Sequence, residues 1–458
     1  MACVGAQKES RRKQEANRVE IPGRAIEVMD RLEKAGFQAY LVGGSVRDML
    51  LGRMPKDYDI ATDATPDQVK PLFPKVIPTG EKYGTVTVLN EIPIEVTTFR
   101  RDGRYLDGRR PESVDFSDSL EEDVQRRDFT INALAMTREG RVIDYVDGLR
   151  DLLELRSIRC VGEPNQRFKE DALRILRAYR FEAQLGFNMN CDTFFATFDN
   201  KGLLKNVSYE RIRDELVKIL MSERPSGVLF FVLSWGILSD IIPEFAPCVG
   251  FEQHSEHHSY DVMWHTLKTV DCSPARLNVR LAALLHDIAK PKCFSMVKGE
   301  GHFYGHHLDS EVMAREILNR LRFDNHTIGT VCTLVREHMS RYDFLRPRNT
   351  KRFINRVGVD NLEDLFDLQI ADIKASAPPH DFSMVLALKE DCQRILNEKE
   401  PLTVKELAVN GYDLCEWGMT PGKDMGAMLK RMLECVLEEP SVNTVEGLRV
   451  IYESEKGG

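Results

Sequence analysis

No stretch of this chain is long and apolar enough to cross a bilayer. The longest apolar run, Gly227 to Leu238 (GVLFFVLSWGIL), falls short of the roughly 20 residues a spanning helix needs. The opening segment MACVGAQKESRRKQ carries charges where a signal peptide has its apolar core, so neither secretion nor membrane insertion is expected. Cys-x-x-Cys pairs are also missing. The ten cysteines are scattered from Cys3 to Cys435 in a chain of 458 residues, far too long to need disulfide staples, and they read as reduced cytosolic thiols. Positive charge is not in surplus: 63 Lys and Arg against 72 Asp and Glu give a net charge of -9. That argues against a basic coat for nucleic acid while leaving room for a local basic face. No internal repeat or low-complexity tract occurs, and without a Gly-x-x-x-x-Gly-Lys-Ser/Thr loop a P-loop NTPase is not supported. Histidine is absent from the first 253 and the last 78 residues, so the chemistry of the middle third differs from what flanks it.

What is present describes a soluble globular protein. Hydrophobic residues make up 42% and charged residues 29%, enough to bury sizeable cores, and the length suggests about three domains at roughly 100–200 residues each. After a polar tail over 1–20, the stretch 21–150 alternates turns with short strand-like runs (AYLVGG, YGTVTVL, IEVTTF, INALAM, RVIDYV), the pattern of an α+β domain. From 151 onward the apolar spacing is helical and no strand alternation returns, so an all-α remainder is expected. Soft boundaries divide it into 151–253, the histidine-bearing 254–385, and 386–458, the last reading as a helical hairpin around Pro421-Gly422.

The first chemical constellation lies in AYLVGGSVRDMLLGRMPKDYDIATDATPDQV. A strand breaks at Gly43-Gly44 and resumes as a helix containing Arg47, a candidate triphosphate cradle in which backbone N–H groups approach phosphate closely. Asp57 and Asp59 follow on a short strand, where alternation puts both on one face; two hard oxygen donors suit Mg²⁺. Glu95 in IEVTTF is expected to join them from a neighbouring strand. Three acids around two metals is an arrangement that activates a hydroxyl and steadies a pyrophosphate leaving group. A bare Asp-x-Asp is far more often a solvated turn, but the glycine pair and Arg47 in register with it weigh against that.

These residues resemble a known family. LVGGSVRDMLLG followed by DYDIAT is similar to the signature of bacterial class II tRNA CCA-adding enzymes and their poly(A) polymerase relatives. The likeness continues through RYLDGRRPESVDF, RRDFTINALAM, DYVDGLRDL, EDALRILRAYRFEAQLGF and SYERIRDELVKIL. It implies a polymerase-β-like palm in the α+β head. It further implies that Arg126, Arg127, Asp128 and Asn132 bind triphosphate and ribose, and that Asp171 and Arg174 act as an amino-acid template for the base. Helical spacing puts Asp171 and Arg174 on one face as an i,i+3 pair, ordinarily a plain salt bridge. Adenine and cytosine each present an exocyclic amine beside a ring-nitrogen acceptor, which one carboxylate and one guanidinium match; guanine and uracil present the reverse, and a buried charged group left unpaired costs roughly 1–3 kcal/mol. The Asp107–Pro111 loop (DGRRP), by the resemblance, favours completion of CCA over stopping at CC. Arg174, Arg177 and Arg180, with Arg167, Lys169, Arg211 and Arg213 nearby, form a ridge expected either to contact acceptor-stem phosphates or to be neutralised by Glu170, Asp171 and Glu182.

The second constellation is His265 (VMWHTL), His286-Asp287 (LLHDIAKP), His306 (FYGHHLDSE), His338 (REHM) and Asp372 (QIADIKA). Imidazole and carboxylate in this mixture suit a divalent transition metal. The order resembles the HD phosphohydrolases. The resemblance implies His265, His286, Asp287 and Asp372 as ligands, with His306 and His338 completing the site or binding substrate phosphate; His307 remains an alternative to His306. A degenerate, purely structural HD domain stands as the alternative to a ligand-bearing one.

Together the motifs predict a cytoplasmic enzyme that adds CCA to the tRNA acceptor end from CTP and ATP with Mg²⁺, with a fused HD domain of possible phosphatase or phosphodiesterase activity. No membrane association and no obligate protein partner are expected. The rivals are a bacterial poly(A) polymerase, disfavoured by the acidic balance and the tail ESEKGG, and an HD-type phosphodiesterase with a decayed head, disfavoured by intact Asp57, Asp59, Asp171 and Arg174. A non-enzymatic tRNA-binding module has no need of two metal-type clusters.

Overall fold

The computed structural model describes residues 21–102, 114–254, 260–340 and 347–456; the N-terminal tail and the Asp107–Pro111 loop lie outside the described residues. The chain divides into two compact units, Met1–Ile219 and Leu220–Gly458, the division falling inside the stretch 151–253.

In the first unit, helix α1 (Gly23–Lys34) buries Ala25, Val28, Met29 and Leu32, the i, i+3, i+4, i+7 stripe of an amphipathic helix. Strands β1 (Ala39–Val42), β2 (Tyr58–Thr62), β3 (Val76–Gly80), β4 (Thr85–Asn90), β5 (Ile92–Thr98), β8 (Ala135–Met136) and β9 (Val142–Ile143) form a seven-stranded sheet in the order β3-β4-β5-β2-β1-β8-β9; β6 (Arg100–Asp102) and β7 (Val114–Phe116) pair separately. Neighbours are antiparallel except β2 and β5, which run parallel with Asp59 opposite Glu95. Residues in register on adjacent strands share a face, so this one parallel pairing brings two distant acids side by side. Helix α2 (Gly44–Leu50) starts directly off β1. Val42, Ala61, Phe99, Leu120, Val124, Ala133, Ala135 and Val161 close a core against the sheet. The α+β expectation for the head holds.

The remainder is helical with three departures from the sequence reading. β10 (Ser157–Ile158) and β11 (Asn188–Met189) make a two-residue parallel pair, and β12 (Ser295–Val297) and β13 (Glu300–His302) form a hairpin. The hairpin turn is Lys298-Gly299, both at positive φ, a geometry that suits the strand twist and whose signal in the sequence is two residues long. The third departure is a break in the helix expected across EDALRILRAYR. Helix α4 (Pro164–Glu170) stops and α5 (Leu173–Leu185) restarts, with Asp171 extended between them at φ -146°. The Asp171 carboxylate accepts the Leu173 N–H at 3.1 Å, a local bond that competes with helix continuation.

The second unit packs α8 (Val262–Cys272) and α9 (Leu277–Leu285) against each other and against α13 (Leu362–Ala375), with α11 (Asn325–Glu337) on α9 and α10 (His306–Arg320) on α11. Beyond them α12 (Pro347–Val357) packs on α14 (Ser383–Asn397) and α15 (Lys423–Glu438), and α16 (Val445–Lys456) follows. Pro421-Gly422 does precede a helix, α15.

Two glycines separate steric need from backbone need. A Cβ on Gly148 would sit 2.2 Å from the Thr130 carbonyl oxygen, whereas one on Gly186 would meet nothing within 4 Å but must hold φ at +67°. Gly148→Ala is expected to cost about 3 kcal/mol through forced displacement, and Gly186→Ala about 1 kcal/mol through left-handed strain. Urea unfolding midpoints of the two variants check the ranking.

Candidate functional site

A cleft of about 800 Å³ in the first unit is lined by Gly43, Gly44, Arg47, Asp57, Asp59, Arg127, Asp128, Asn132, Arg177 and Arg180, together with Ser45, Asp48, Arg53, Met54, Lys56, Phe181, Gln184, Leu185 and Lys218. Ten of the residues singled out in the sequence thus face one space. Arg126, Asp171 and Arg174 do not line it, and Glu95 stands beside Asp59 on β5.

The acidic side of the cleft is set by the sheet. Asp59 lies on β2 opposite Val42 of β1 and Glu95 of β5; Asp57 precedes the strand, which begins at Tyr58, and is exposed. Burial, then the Glu95 carboxylate, push Asp59 up to about 6, with Asp57 adding to the rise and Arg127 opposing it. The strand leads from Val42 into Gly43, whose φ is +74°. A Cβ there would come within 3.3 Å of Arg127 Nη1 and 3.5 Å of Asp59 Oδ2, so glycine serves both conformation and close approach.

The basic side is a set of guanidiniums, each fixed by an acid or amide. Arg127 Nη2 and Arg126 Nε donate to the buried Asp123, both at 3.0 Å. Arg177 Nε donates to Asp128 at 2.8 Å, its Nη2 donates to the same oxygen, and Asp128 also accepts from the Phe129 N–H (2.8 Å) and Asn132 Nδ2 (3.3 Å). Burial opposes the Asp128 charge, but Arg177 and Arg174 overcome it and hold the carboxyl at about 2. Asn132 Oδ1 accepts from Arg47 Nη1 at 2.7 Å. Arg180 pairs with buried Glu215 at 3.2 Å, and burial lowers it to about 10. Seven Lys or Arg and four Asp line the cleft, a net of three positive charges when all are ionised, which suits a polyanionic ligand.

Asp171 and Arg174 do not pair. The helix break turns Asp171 to Arg211 (2.8 Å), while Arg174 binds Glu170 (2.6 Å) and the Arg126 carbonyl (3.2 Å). The members of the Arg174–Arg177–Arg180 series are held by Glu170, Asp128 and Glu215 respectively. Of the neutralisers named from sequence, Glu170 and Asp171 serve, Arg167 also binding Glu170 at 3.0 Å; Glu182 is instead pushed up to about 7 by burial. Arg213 pairs with its neighbour Asp214 at 2.8 Å.

A second cluster sits in the second unit. Asp287 Oδ2 lies 3.2 Å from His286 Nε2 and 3.4 Å from His265 Nε2; its Oδ1 lies 3.2 Å from His306 Nε2 and 3.9 Å from His338 Nε2. Asp372 Oδ1 is 3.1 Å from His265 Nε2. His306, buried, faces this cluster; His307 is half-buried outside it. Two groups, His265–His286–Asp287 and Asp287–His306–His338, offer ligand atoms close enough to share an ion.

Comparison with known proteins places the chain. A family model described as the poly A polymerase head domain matches residues 39–159, one for an RNA- and SrmB-binding site of polymerase A matches 186–248, and one for a second domain of tRNA nucleotidyltransferases matches 305–451. A CCA-adding enzyme of Lactobacillus helveticus is 35% identical over 94% of this chain and 96% of its own. The chain belongs to the CCA-adding enzyme family. The solved CCA-adding enzyme of Bacillus stearothermophilus, in complex with CTP, is 28% identical and superposes with a TM-score of 0.72 over 96% of this chain and all of that one. A Thermotoga maritima CCA-adding enzyme complexed with tRNA shares the fold at 21% identity and a TM-score of 0.59 over 96% of this chain and 97% of that one. Among the described residues no helix is long and apolar enough to cross a membrane.

Three features of this member of the CCA-adding family were missed from sequence. Phe181 collects three guanidiniums, those of Arg180 (4.2 Å), Arg47 (5.1 Å) and Arg177 (5.8 Å), around one ring; only its position four residues after Arg177 hinted at this. Glu215 anchors Arg180 from a remote segment and carries no local signal, whereas Asp123 holds Arg126 and Arg127 at i,i+3 and i,i+4, a local spacing that went unread. Lys290, three residues after Asp287, places Nζ 2.7 Å from Asp287 Oδ2.

Asp59 yields a pH test. Because its folded value is raised from the usual 3.8 to about 6, the folded chain holds that proton more tightly than the unfolded chain. The stabilisation is therefore full below about pH 4 and is lost as pH rises through about 6. Asn mimics the protonated side chain. Asp59→Asn is expected to be more stable than the parent at pH 8 and equal to it near pH 4, measured by urea unfolding in EDTA.

Proposed function

We propose that this chain adds CCA to the 3′ end of tRNA from CTP and ATP, releasing pyrophosphate. The observation that carries the reading is the single cleft in which Asp57 and Asp59, with Glu95 adjacent, face Arg47, Arg127, Arg177 and Arg180. Membership of the CCA-adding family over nearly the whole chain supports it above a poly(A) polymerase or a stand-alone phosphodiesterase.

Nucleotidyl transfer is chiefly a matter of positioning and charge stabilisation. The guanidiniums hold the triphosphate, and their acid anchors keep them in place before substrate arrives. Gly43 and Gly44 let the backbone approach it, and Asn132 and Asp128 orient Arg47 and Arg177 while leaving Asn132 near the ribose. The carboxylate of Asp59, raised to about 6 among three acids, is the environment a hard divalent cation relieves. Asp57 and Asp59, with Glu95, would hold Mg²⁺, which when bound neutralises phosphate charge and favours the ionised 3′-hydroxyl. Asp171 and Arg174 select the base. Asp171 then exchanges its Arg211 partner for the exocyclic amine, and Arg174 its Glu170 partner for the ring nitrogen. The substrates and the free thiols of the described cysteines support a cytoplasmic site of action.

The histidine cluster is read as an accessory HD-type site. His265, His286, Asp287 and Asp372 would hold a divalent transition metal, with His306 and His338 beside them. The fit rests on His286 Nε2, which is buried without a hydrogen-bond partner. Such an ion polarises a phosphate ester and lowers the pKa of water, which is the chemistry of phosphate-ester hydrolysis.

The test supplies Mg²⁺, CTP and ATP, separately and together, to tRNA transcripts ending before CCA, after C and after CC. Ordered addition stopping at CCA is expected; long A tails on any RNA would make the chain a poly(A) polymerase. Asp171→Ala is expected to relax rejection of UTP and GTP by roughly 5- to 150-fold, the equivalent of about 1–3 kcal/mol.

A further inference from the structure

We propose that Phe181 is a positioning residue for the triphosphate, its ring holding the guanidiniums of Arg47, Arg177 and Arg180 together as one grip on the phosphates. This rests on the nucleotidyl-transfer reading above and assigns a part of it to an uncharged side chain.

The difficulty the ring answers is electrostatic. The Cζ atoms of Arg180, Arg47 and Arg177 lie 4.2, 5.1 and 5.8 Å from one ring centroid, so three like charges crowd a single point. Such repulsion is strong where water is excluded, and Phe181 is only 4% exposed. The polar anchors sit on separate segments. Arg47 Nε donates to Asp48 at 2.8 Å and its Nη1 to Asn132 at 2.7 Å, Arg177 Nε donates to Asp128 at 2.8 Å, and Arg180 Nε lies 3.2 Å from Glu215 Oε2. Each anchor fixes one guanidinium, but none of them touches all three.

The ring does. An aromatic face carries negative charge density and attracts a cation within about 6 Å of its centroid. Arg177 precedes Phe181 by one turn of α5, which puts both on one side of the helix, and Arg47 arrives from α2. Sequence neighbours on a helix do not ordinarily face each other, yet Arg180 is the nearest of the three. Its Nε supplies the deciding detail, being buried without a hydrogen bond despite the nearby Glu215. Burial first, then Arg177 and Arg47, work against the Arg180 charge, and the ring face offsets them. Phe129, itself fully buried, meets Phe181 edge-to-face with centroids 5.7 Å apart and so fixes the plane that the guanidiniums address.

Phe181 also lines the cleft, which Asp171 and Arg174 do not. Its effect therefore falls on the phosphates and is the same for CTP and ATP.

The test places mono-, di- and trifluorinated phenylalanine at position 181 of the full-length chain, near-isosteric rings whose negative face is progressively drained. Calorimetry with inorganic tripolyphosphate in EDTA and steady-state addition of CTP and ATP to tRNA transcripts read the result. Tripolyphosphate affinity is expected to fall, and KM for CTP and for ATP to rise together, in step with fluorine count, reaching about 10-fold for the trifluorinated ring. The KM for tRNA and the rejection of UTP and GTP are expected to stay unchanged. Urea unfolding of the same series separates a change in grip from a loss of fold. Tripolyphosphate affinity and nucleotide KM that do not move across a folded series would overturn the positioning role. A chain that adds no CCA but shows the graded tripolyphosphate series would overturn the reading of the reaction and leave the role of the ring standing. A parent chain that binds no tripolyphosphate would overturn both.

Discussion

The head of this protein depends on a carboxylate that is buried and held charged. Asp128 accepts from Arg177, from Asn132 and from the Phe129 N–H, and through Asn132 it reaches Arg47. One side chain thus ties the segment before β8 to α5 and to α2, three stretches far apart in sequence. Burying such a charge is costly unless it is paired and hydrogen-bonded, and removing one partner leaves the other uncompensated. The same bonds that stabilise the fold fix the positions of guanidiniums that line the cleft with Asp59. Phe181 strengthens this by offering its ring to three of those cations.

Opposite Asp128, the sheet solves a different problem. It brings like charges together, against their preference, because the parallel register of β2 with β5 puts Asp59 beside Glu95. The strain is visible in the raised Asp59 carboxyl. Such local electrostatic conflict inside an otherwise satisfied structure is the kind of perturbation that clusters at functional sites. The histidine cluster in the second unit follows related logic with another device: helix-end carbonyls, which need donors in any case, take the imidazole Nδ1 protons of His286 and His338 and turn the Nε2 atoms inward.

Much of this was legible from local spacing. Gly43-Gly44 before a helix, Asp57 and Asp59 two apart, and histidines confined to 254–380 are each short-range patterns that carry their chemistry with them, and the α+β head showed in its alternating runs. Other features misled at the same range. Asp171 and Arg174 have the spacing of an intrahelical pair, but a side-chain bond to the backbone breaks the helix between them. His306 and His307 are adjacent, and no periodicity distinguishes which faces inward.

The sequence by itself determined the identity of the reactive groups and the local backbone that presents them, because glycine, aspartate and histidine act through their own dihedrals and donor sets. Only the tertiary structure decided which groups meet. Arg177 with Asp128, Arg180 with Glu215 and Asp171 with Arg211 are choices among many possible ion pairs. Strand register and helix phase settle them, because a charge in a buried site takes whichever partner the packing of distant segments brings within hydrogen-bonding reach.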